Sequence, residues 1–347
     1  MLSTKSAELE AATPTIDASS RAAVLQCLAV AKFRLGFQSG LRVSFRVLAL
    51  VGPTASGKTG LALQVAAQLT ALGKPVEIIN ADAMQLYAGM DIGTAKLPES
   101  QRQGIPHHLF DILTPAQEMT AVEYQRVARE KCLEILAANK TPMFVGGSMF
   151  YLAAALDNLD FAPTDPVIRS ELEQLGQEIG ALAIHERLRR LDPITADKIP
   201  AQNIRRVIRA LEVIAITGDS YASSLPEPSY WEPTLQIGID VPRELLKQRI
   251  SLRVAQMWEE GIVSEVEQLL KAGELGKTAR MAIGYKQAIA ELRGEMSAEE
   301  AQAETVALTN RYSRRQMSWF RRDKRIRWQT AGEKLTAEVM NLIRLEQ

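Results

Sequence analysis

Residues 47–59 read VLALVGPTASGKT. An apolar run of strand-forming residues ends at Gly52, four residues follow, and Gly57-Lys58-Thr59 completes the G-x-x-x-x-G-K-[ST] pattern of a phosphate-binding loop. The setting fits the motif, with a strand before it and a helical segment over residues 60–72 after it. In such a loop, successive backbone N–H groups and the positive end of the next helix make a cradle for anions. Gly52, Pro53, Thr54, Ala55, Ser56 and Gly57 supply the cradle, Lys58 adds a point charge, and the Thr59 hydroxyl can ligate Mg²⁺. The fold class that follows is α/β, a P-loop NTPase-like parallel sheet flanked by helices. The ligand that follows is a di- or triphosphate, and the loop alone does not say which.

At 347 residues the chain has room for one large domain with an insertion, or for two modest domains. Forty-one Lys and Arg balance forty-one Asp and Glu, so a nucleic-acid partner would need a local basic face. Cys27 and Cys132 cannot make a zinc site alone, and His107, His108 and His185 are not at ligand spacing with either. Reduced thiols in a cytoplasmic enzyme are the plainer reading. No apolar run approaches the roughly 20 residues of a membrane span. Residues 22–31 superficially resemble an export signal, but Glu8, Glu10 and Asp17 precede them where a short basic leader belongs. Residues 1–46 are therefore expected to be a poorly ordered extension with one helix over 21–33.

Downstream, residues 76–80 (VEIIN) read as a buried strand with Asp82 just past its C-terminal end. Ligands of open α/β sheets bind outside the carboxyl ends of strands, so Asp82 is aimed at the reaction site. Capping a short helix over 83–87 is its other reading, and both can hold. Residues 89–96 form a glycine-punctuated loop, and His107 and His108 are expected to pack or hydrogen-bond. Residues 120–138 show helical periodicity and lead into a strand over 143–145 that ends in Gly146-Gly147-Ser148. A nucleotide hydrolase usually places an acidic, Mg²⁺-holding residue there, and none is present.

The segment 159–204 is polar and helical, with Asp165-Pro166 and Asp192-Pro193 as helix starts and little apolar content. It is read as an inserted helical subdomain between two parts of the core domain, 47–158 and 205–330, with 331–347 as a C-terminal helix or tail. Arg205, Arg206 and Arg209 lie on adjoining helical faces, as phosphate contacts or as a solvated face. A strand over 235–241 and a helix over 243–270 follow. In that helix Arg249 and Arg253, four residues apart, share a face suited to clamping a diphosphate; a pair of surface arginines is the alternative. Residues 309–328, TNRYSRRQMSWFRRDKRIRW, carry eight cations, Arg314 and Arg315 among them, against Asp323 alone, with Tyr312, Trp319, Phe320 and Trp328 interleaved. That mixture suits phosphate contact and base stacking.

These stretches together resemble the bacterial type of the tRNA dimethylallyltransferase (tRNA isopentenyltransferase) family. The residues that carry the resemblance are GPTASGKT at 52–59, NADAMQLYAGMDIGTAK at 80–96, PHHLFDI at 106–112, GGSMFY at 146–151, NIRRVIRALE at 203–212, IGYKQ at 283–287 and RYSRRQMSWFRR at 311–322. The resemblance implies transfer of a dimethylallyl group from dimethylallyl diphosphate to N6 of adenine 37 in tRNA. It implies Asp82 as general base, Thr54 and Arg253 on the bridging oxygen and diphosphate, and Mg²⁺ as the metal. It also implies tRNA contacts at Asp82, Ala83, Met84, Gln85, Ser148 and 205–209. Ala83-Met84 stands where the family usually has a Ser and a polar or basic residue, and Ser148 replaces a common Thr. Cys132 is the last cysteine, so the zinc finger of eukaryotic members is not expected, and the enzyme is expected to be a monomer. The rival readings are a small-molecule kinase with ATP in the cradle, an RNA-binding GTPase-like switch, and an isopentenyltransferase acting on free AMP.

Overall fold

The computed structural model describes residues 45–221 and 227–346. Of the expected N-terminal extension, residues 1–44, with the helix over 21–33, lie outside the described residues. Phe45, counted with that extension, is buried in the core beside the first strand.

The described elements are, in chain order, β1 (Val47–Val51), α1 (Lys58–Ala71), β2 (Val76–Asn80), β3 (His107–His108), α2 (Ala121–Ala137), β4 (Thr141–Gly146) and α3 (Met149–Leu156). Then come α4 (Pro166–Leu191), α5 (Pro193–Lys198), α6 (Ile204–Thr217), β5 (Thr234–Asp240), α7 (Arg243–Glu259) and α8 (Ile262–Ala272). The chain closes with α9 (Lys277–Arg280), α10 (Tyr285–Leu292), α11 (Ala298–Phe320), β6 (Arg327–Thr330) and α12 (Leu335–Leu345). The described chain falls into two compact units, one of residues 45–119, 123–152 and 233–346, the other of 120–122, 153–221 and 227–232.

The first unit is built on one six-stranded sheet of order β3-β2-β4-β1-β5-β6, all pairs parallel. A parallel sheet is covered on both faces, which is why β1 reads as an unbroken apolar run and buries every residue. Leu61, Val65 and Leu69 of α1 join Val339, Met340 and Ile343 of α12 in the core against the central strands. Of the helix or tail expected over 331–347, the structure has the helix, α12, and it is part of the core. The short edge strands β3 and β6 carry no periodicity to read; they exist because Ile78 and Gly238 offer them ladder positions opposite His107 and Trp328. The single helix expected over 243–270 is two, α7 and α8, because Gly261 takes φ 96° between them.

In the second unit α4 starts with Pro166 at N1, and the Asp165 carboxylate accepts from the N–H groups of Val167 (2.8 Å) and Ile168 (3.2 Å). Asp192 caps α5 in the same way, accepting from Thr195 N–H at 3.0 Å. The helix of α4 is interrupted at Gly180, whose φ of 82° is left-handed. The segment has a core of its own, contrary to the polar look of its sequence: Leu172, Ile184, Leu188, Ile199, Val207, Ile208 and Leu211 are buried together. Since four of α6's apolar residues belong to it (Val207, Ile208, Ala210 and Leu211), the unit extends past 204 to 232, beyond the boundary read from the sequence.

Glu212 is fully buried in that unit, accepting from Thr164 Oγ (2.7 Å), Asp165 N–H (3.0 Å), Arg169 (2.7 Å) and Arg209 (2.8 Å). Burial alone would raise its pKa, but these four donors hold it down at about 2. Stability from this carboxylate is present above the ordinary glutamate value and is lost as pH falls toward about 2. Replacing it leaves two guanidinium groups without their shared anion. Glu212→Ala is expected to destabilise this unit by about 3–5 kcal/mol, read by urea unfolding; a cost below about 1 kcal/mol would contradict the assignment.

Candidate active site

The loop between β1 and α1 turns through Gly52, Ala55 (φ 60°) and Gly57 (φ 92°), left-handed at the last two. Gly57 is the N-cap of α1 and offers no side chain to the first-turn amides, which leaves them for an anion. Lys58 arches back over the loop and donates to the carbonyl oxygens of Gly52 (3.0 Å) and Pro53 (2.6 Å). Burial lowers its pKa to about 8, with Asp82 opposing and Arg253 adding to the fall. A cavity of about 460 Å³ opens over the loop and is lined by Thr54–Thr59 together with Asp82, Gln85, Arg253 and Gln316.

Asp82 reaches this cavity because β2 and β1 flank β4, and β4 ends in two glycines. A Cβ at Gly146 would run into the backbone of Ala81, and one at Gly147 into the Gln316 amide. Asn80 pins the turn, accepting from Asp82 N–H at 2.9 Å and donating to the carbonyls of Asp82 and Leu109 at 3.0 Å each. Asp82 Oδ1 accepts from Met84 N–H at 3.0 Å at the start of a 3-10 turn (Met84–Leu86), so it both caps and lines the cavity. Ser148 Oγ accepts from Ala83 N–H at 2.8 Å, and Ser148 N–H donates to Ala81 O at 3.1 Å.

Of Arg249 and Arg253, the two α7 arginines that share a face, Arg253 lines the cavity. It donates to Thr54 Oγ (3.3 Å) and to Thr94 O (3.0 Å). Arg249, one turn earlier and half-buried, is not among the lining residues. Gln316 of α11 had no sequence signal. Its amide accepts from Thr54 N–H at 3.0 Å and donates to Gly147 O at 2.8 Å, tying the phosphate loop to the end of β4.

The other expected residues fall elsewhere. Arg314 and Arg315 are exposed on α11; Arg315 lies over the Tyr312 ring at 5.7 Å, and Arg314 lines a separate cleft of about 700 Å³ that shares no residue with the loop cavity. Arg205 and Arg206 are exposed on α6 of the second unit. Arg209 is committed there to Glu212 and to the carbonyls of Ala162 (2.6 Å) and Pro163 (2.9 Å). Of the histidines, His107 does line the loop cavity and hydrogen-bonds Ile105 O at 2.7 Å, while His108 meets Glu77 at 2.6 Å. Among the described residues no three His, Cys, Asp or Glu side chains are grouped to hold a metal, and no helix is long and apolar enough to cross a membrane.

A phosphate loop facing a carboxylate, with glycines where a nucleotide hydrolase keeps its acid, defines a group transferase on a P-loop fold. The family described as IPP transferase matches residues 85–323. The tRNA dimethylallyltransferase of Thermobifida fusca is 52% identical over 283 residues, 81% of this chain and 89% of its own length. That of Streptomyces coelicolor is 49% identical over 288 residues, 83% and 91% of the two chains. The crystal structure of the tRNA isopentenylpyrophosphate transferase of Bacillus halodurans superposes with a TM-score of 0.65 at 35% identity, over 87% of this chain and 96% of that one. A eukaryotic dimethylallyltransferase caught acting on tRNA shares the fold, with a TM-score of 0.73 at 24% identity over 85% and 77% of the chains. This chain belongs to the IPP transferase family.

Only the protonated form of Lys58 attracts a polyanion, and it is lost as pH rises through about 8. Pyrophosphate binding, followed by calorimetry, is therefore expected to be about tenfold weaker at pH 9 than at pH 7. Lys58→Arg, charged at both, should flatten the profile; a wild-type affinity that does not change with pH would contradict the assignment.

Proposed function

We propose that this protein transfers a dimethylallyl group from dimethylallyl diphosphate to N6 of adenine 37 in tRNA and releases diphosphate. The observation that carries the reading is one cavity holding the phosphate loop, Lys58, Arg253 and the Asp82 carboxylate together. The exocyclic amine of adenine is a poor nucleophile, its lone pair being delocalised into the ring. A carboxylate within hydrogen-bond reach takes the amine proton as the new C–N bond forms, and Asp82 is the group assigned to that step.

The bond that breaks joins the allylic carbon to the diphosphate oxygen, and the charge grows on that oxygen. Thr54, Arg253, Lys58 and the loop amides are assigned to receive it, with Arg249 as an outer cation on the same helix. Leu97, Phe110 and Val145 give the cavity an apolar wall for the branched hydrocarbon. The phosphate cradle thus serves a leaving group, and no phosphoryl is transferred. A target base inside the anticodon loop must leave its stack to reach Asp82. Ala83, Met84, Gln85 and Ser148 around Asp82, Arg205 and Arg206 on α6, and Arg314 and Arg315 are the proposed tRNA contacts; Arg209, expected with them, is instead held by Glu212 and two backbone carbonyls.

The donor set suits Mg²⁺, which accepts a few hard oxygen ligands beside substrate phosphates and water. Thr59 lines the cavity at the start of α1, and its hydroxyl would hold the ion with the diphosphate oxygens. Bound there, Mg²⁺ would neutralise leaving-group charge. A cytoplasmic monomer is the proposed working form. The kinase alternative has no support, since no acid follows β4 and the relatives named above are tRNA transferases.

Asp82→Ala is expected to lower prenyl transfer to unmodified tRNA by about 10²–10⁴-fold, measured with labelled dimethylallyl diphosphate, while tRNA affinity in a filter-binding assay stays within about threefold. Wild-type transfer by the variant would overturn the role of Asp82; transfer of labelled phosphate from ATP by the wild type would overturn the reaction.

A further inference from the structure

Arg253 sits between two anchors, the Thr54 hydroxyl and the backbone carbonyl of Thr94. Its Nη2 donates to Thr94 O at 3.0 Å, and Gln85 Nε2 donates to the same oxygen at 3.1 Å. Thr94 belongs to the loop 89–96, which is irregular backbone with left-handed turns at Gly89 (φ 76°) and Ala95 (φ 48°). Such a loop holds a carbonyl still only if its other polar groups are tied down.

They are, and chiefly by one side chain. The Glu265 carboxylate of α8 accepts from three consecutive N–H groups, Asp91 (3.0 Å), Ile92 (2.8 Å) and Gly93 (3.4 Å), and from the Tyr285 hydroxyl (2.6 Å). Consecutive N–H groups of this kind form an anion nest. Here the nest is filled from within by a residue 172 positions from Gly93. Gly93 makes the approach possible, since a Cβ there would strike the Tyr285 ring. Lys96, buried, fixes the far end of the loop through Tyr87 O (2.7 Å), Asp91 (2.7 Å) and Asp111 (2.6 Å). The turn 91–94 therefore gives its N–H groups to an anion and its terminal carbonyl to a cation, an arrangement in which each hydrogen bond polarises the next.

We propose that Glu265 is a positioning residue for Arg253, acting through the 91–94 turn, so that it sets how the diphosphate is held without touching it. This rests on the reading of Arg253 as a diphosphate ligand. Loss of the carboxylate releases three N–H groups at once, and the Thr94 carbonyl then no longer defines where the guanidinium lies. The effect is confined to the diphosphate side of the reaction.

Transfer kinetics of the full chain with both substrates varied test this, on wild type, Glu265→Gln, Arg253→Ala and the double variant. Glu265→Gln is expected to raise KM for dimethylallyl diphosphate about tenfold with KM for tRNA unchanged, and to add less than about twofold in the Arg253→Ala background. Tyr285→Phe, which removes one donor and leaves the turn's N–H groups paired, should show the same coupling at about two- to threefold. Effects of Glu265→Gln and Arg253→Ala that multiply independently, or an equal rise in both KM values, would overturn the role of Glu265. If Glu265→Gln does not fold, Tyr285→Phe decides by the same coupling. Arg253→Ala kinetics indistinguishable from wild type would instead overturn the reading of Arg253 on which the proposal stands.

Discussion

The end of β4 has no room for a side chain, and the site is arranged around that fact. β4 lies between β1, which carries the phosphate loop, and β2, which carries Asp82. Gly146 lets the Ala81 backbone close in, and Gly147 admits the Gln316 amide. Ala81 N–H donates to Val145 O at 2.9 Å, continuing the ladder one residue past β2, and Ser148 N–H returns to Ala81 O. The carboxylate is thereby drawn toward the loop. The acid that a nucleotide hydrolase keeps at this strand end is missing for a steric reason as well as a chemical one, since it would occupy the space through which Asp82 and Gln316 approach.

Charge is distributed to match. The chain has no net charge, yet the cavity holds Lys58 and Arg253 against Asp82. Burial lowers the pKa of both cations and Arg253 adds to the fall at Lys58, while Asp82 opposes the fall on both. A diphosphate entering this cavity meets cations that lack a full complement of anions. The basic residues of the C-terminal stretch are more often paired: Arg321 with Asp240 (3.2 Å), Arg325 with Asp323 (2.7 Å) and Arg327 with Glu346 (3.3 Å). Surface pairs contribute little to stability, and the two whose acids lie outside the stretch, Arg321–Asp240 and Arg327–Glu346, reduce the positive field that composition alone would assign to residues 309–328.

What could be read in the sequence was what local pattern encodes. The loop of residues 52–59, the strand that delivers Asp82, and the capping residues Asp165 and Asp192 all act within a few residues of themselves. Arg253 was legible through its spacing from Arg249, but spacing could not tell which of the two faces the loop. Gln316 and Glu265 were illegible, because each is one polar residue among several in its helix and its partner lies far along the chain, 262 positions away at Thr54 in the first case. Gly261 was visible as a glycine, yet the apolar pattern runs on through it, and only its left-handed φ shows the break between α7 and α8. The core of the second unit was hidden because its apolar residues are spread over three helices, none of them strongly amphipathic except α6.

The central claim is that a carboxylate and a departing diphosphate share one cavity, with the adenine amine between them. A crystal structure of the ternary complex with tRNA and an unreactive thio-analogue of dimethylallyl diphosphate measures this directly. The account predicts adenine 37 out of its stack, its N6 about 3 Å from an Asp82 oxygen, and the diphosphate on the amides of the 52–59 loop beside Arg253. An adenine whose N6 meets a different base, or a diphosphate bound away from that loop, would contradict it.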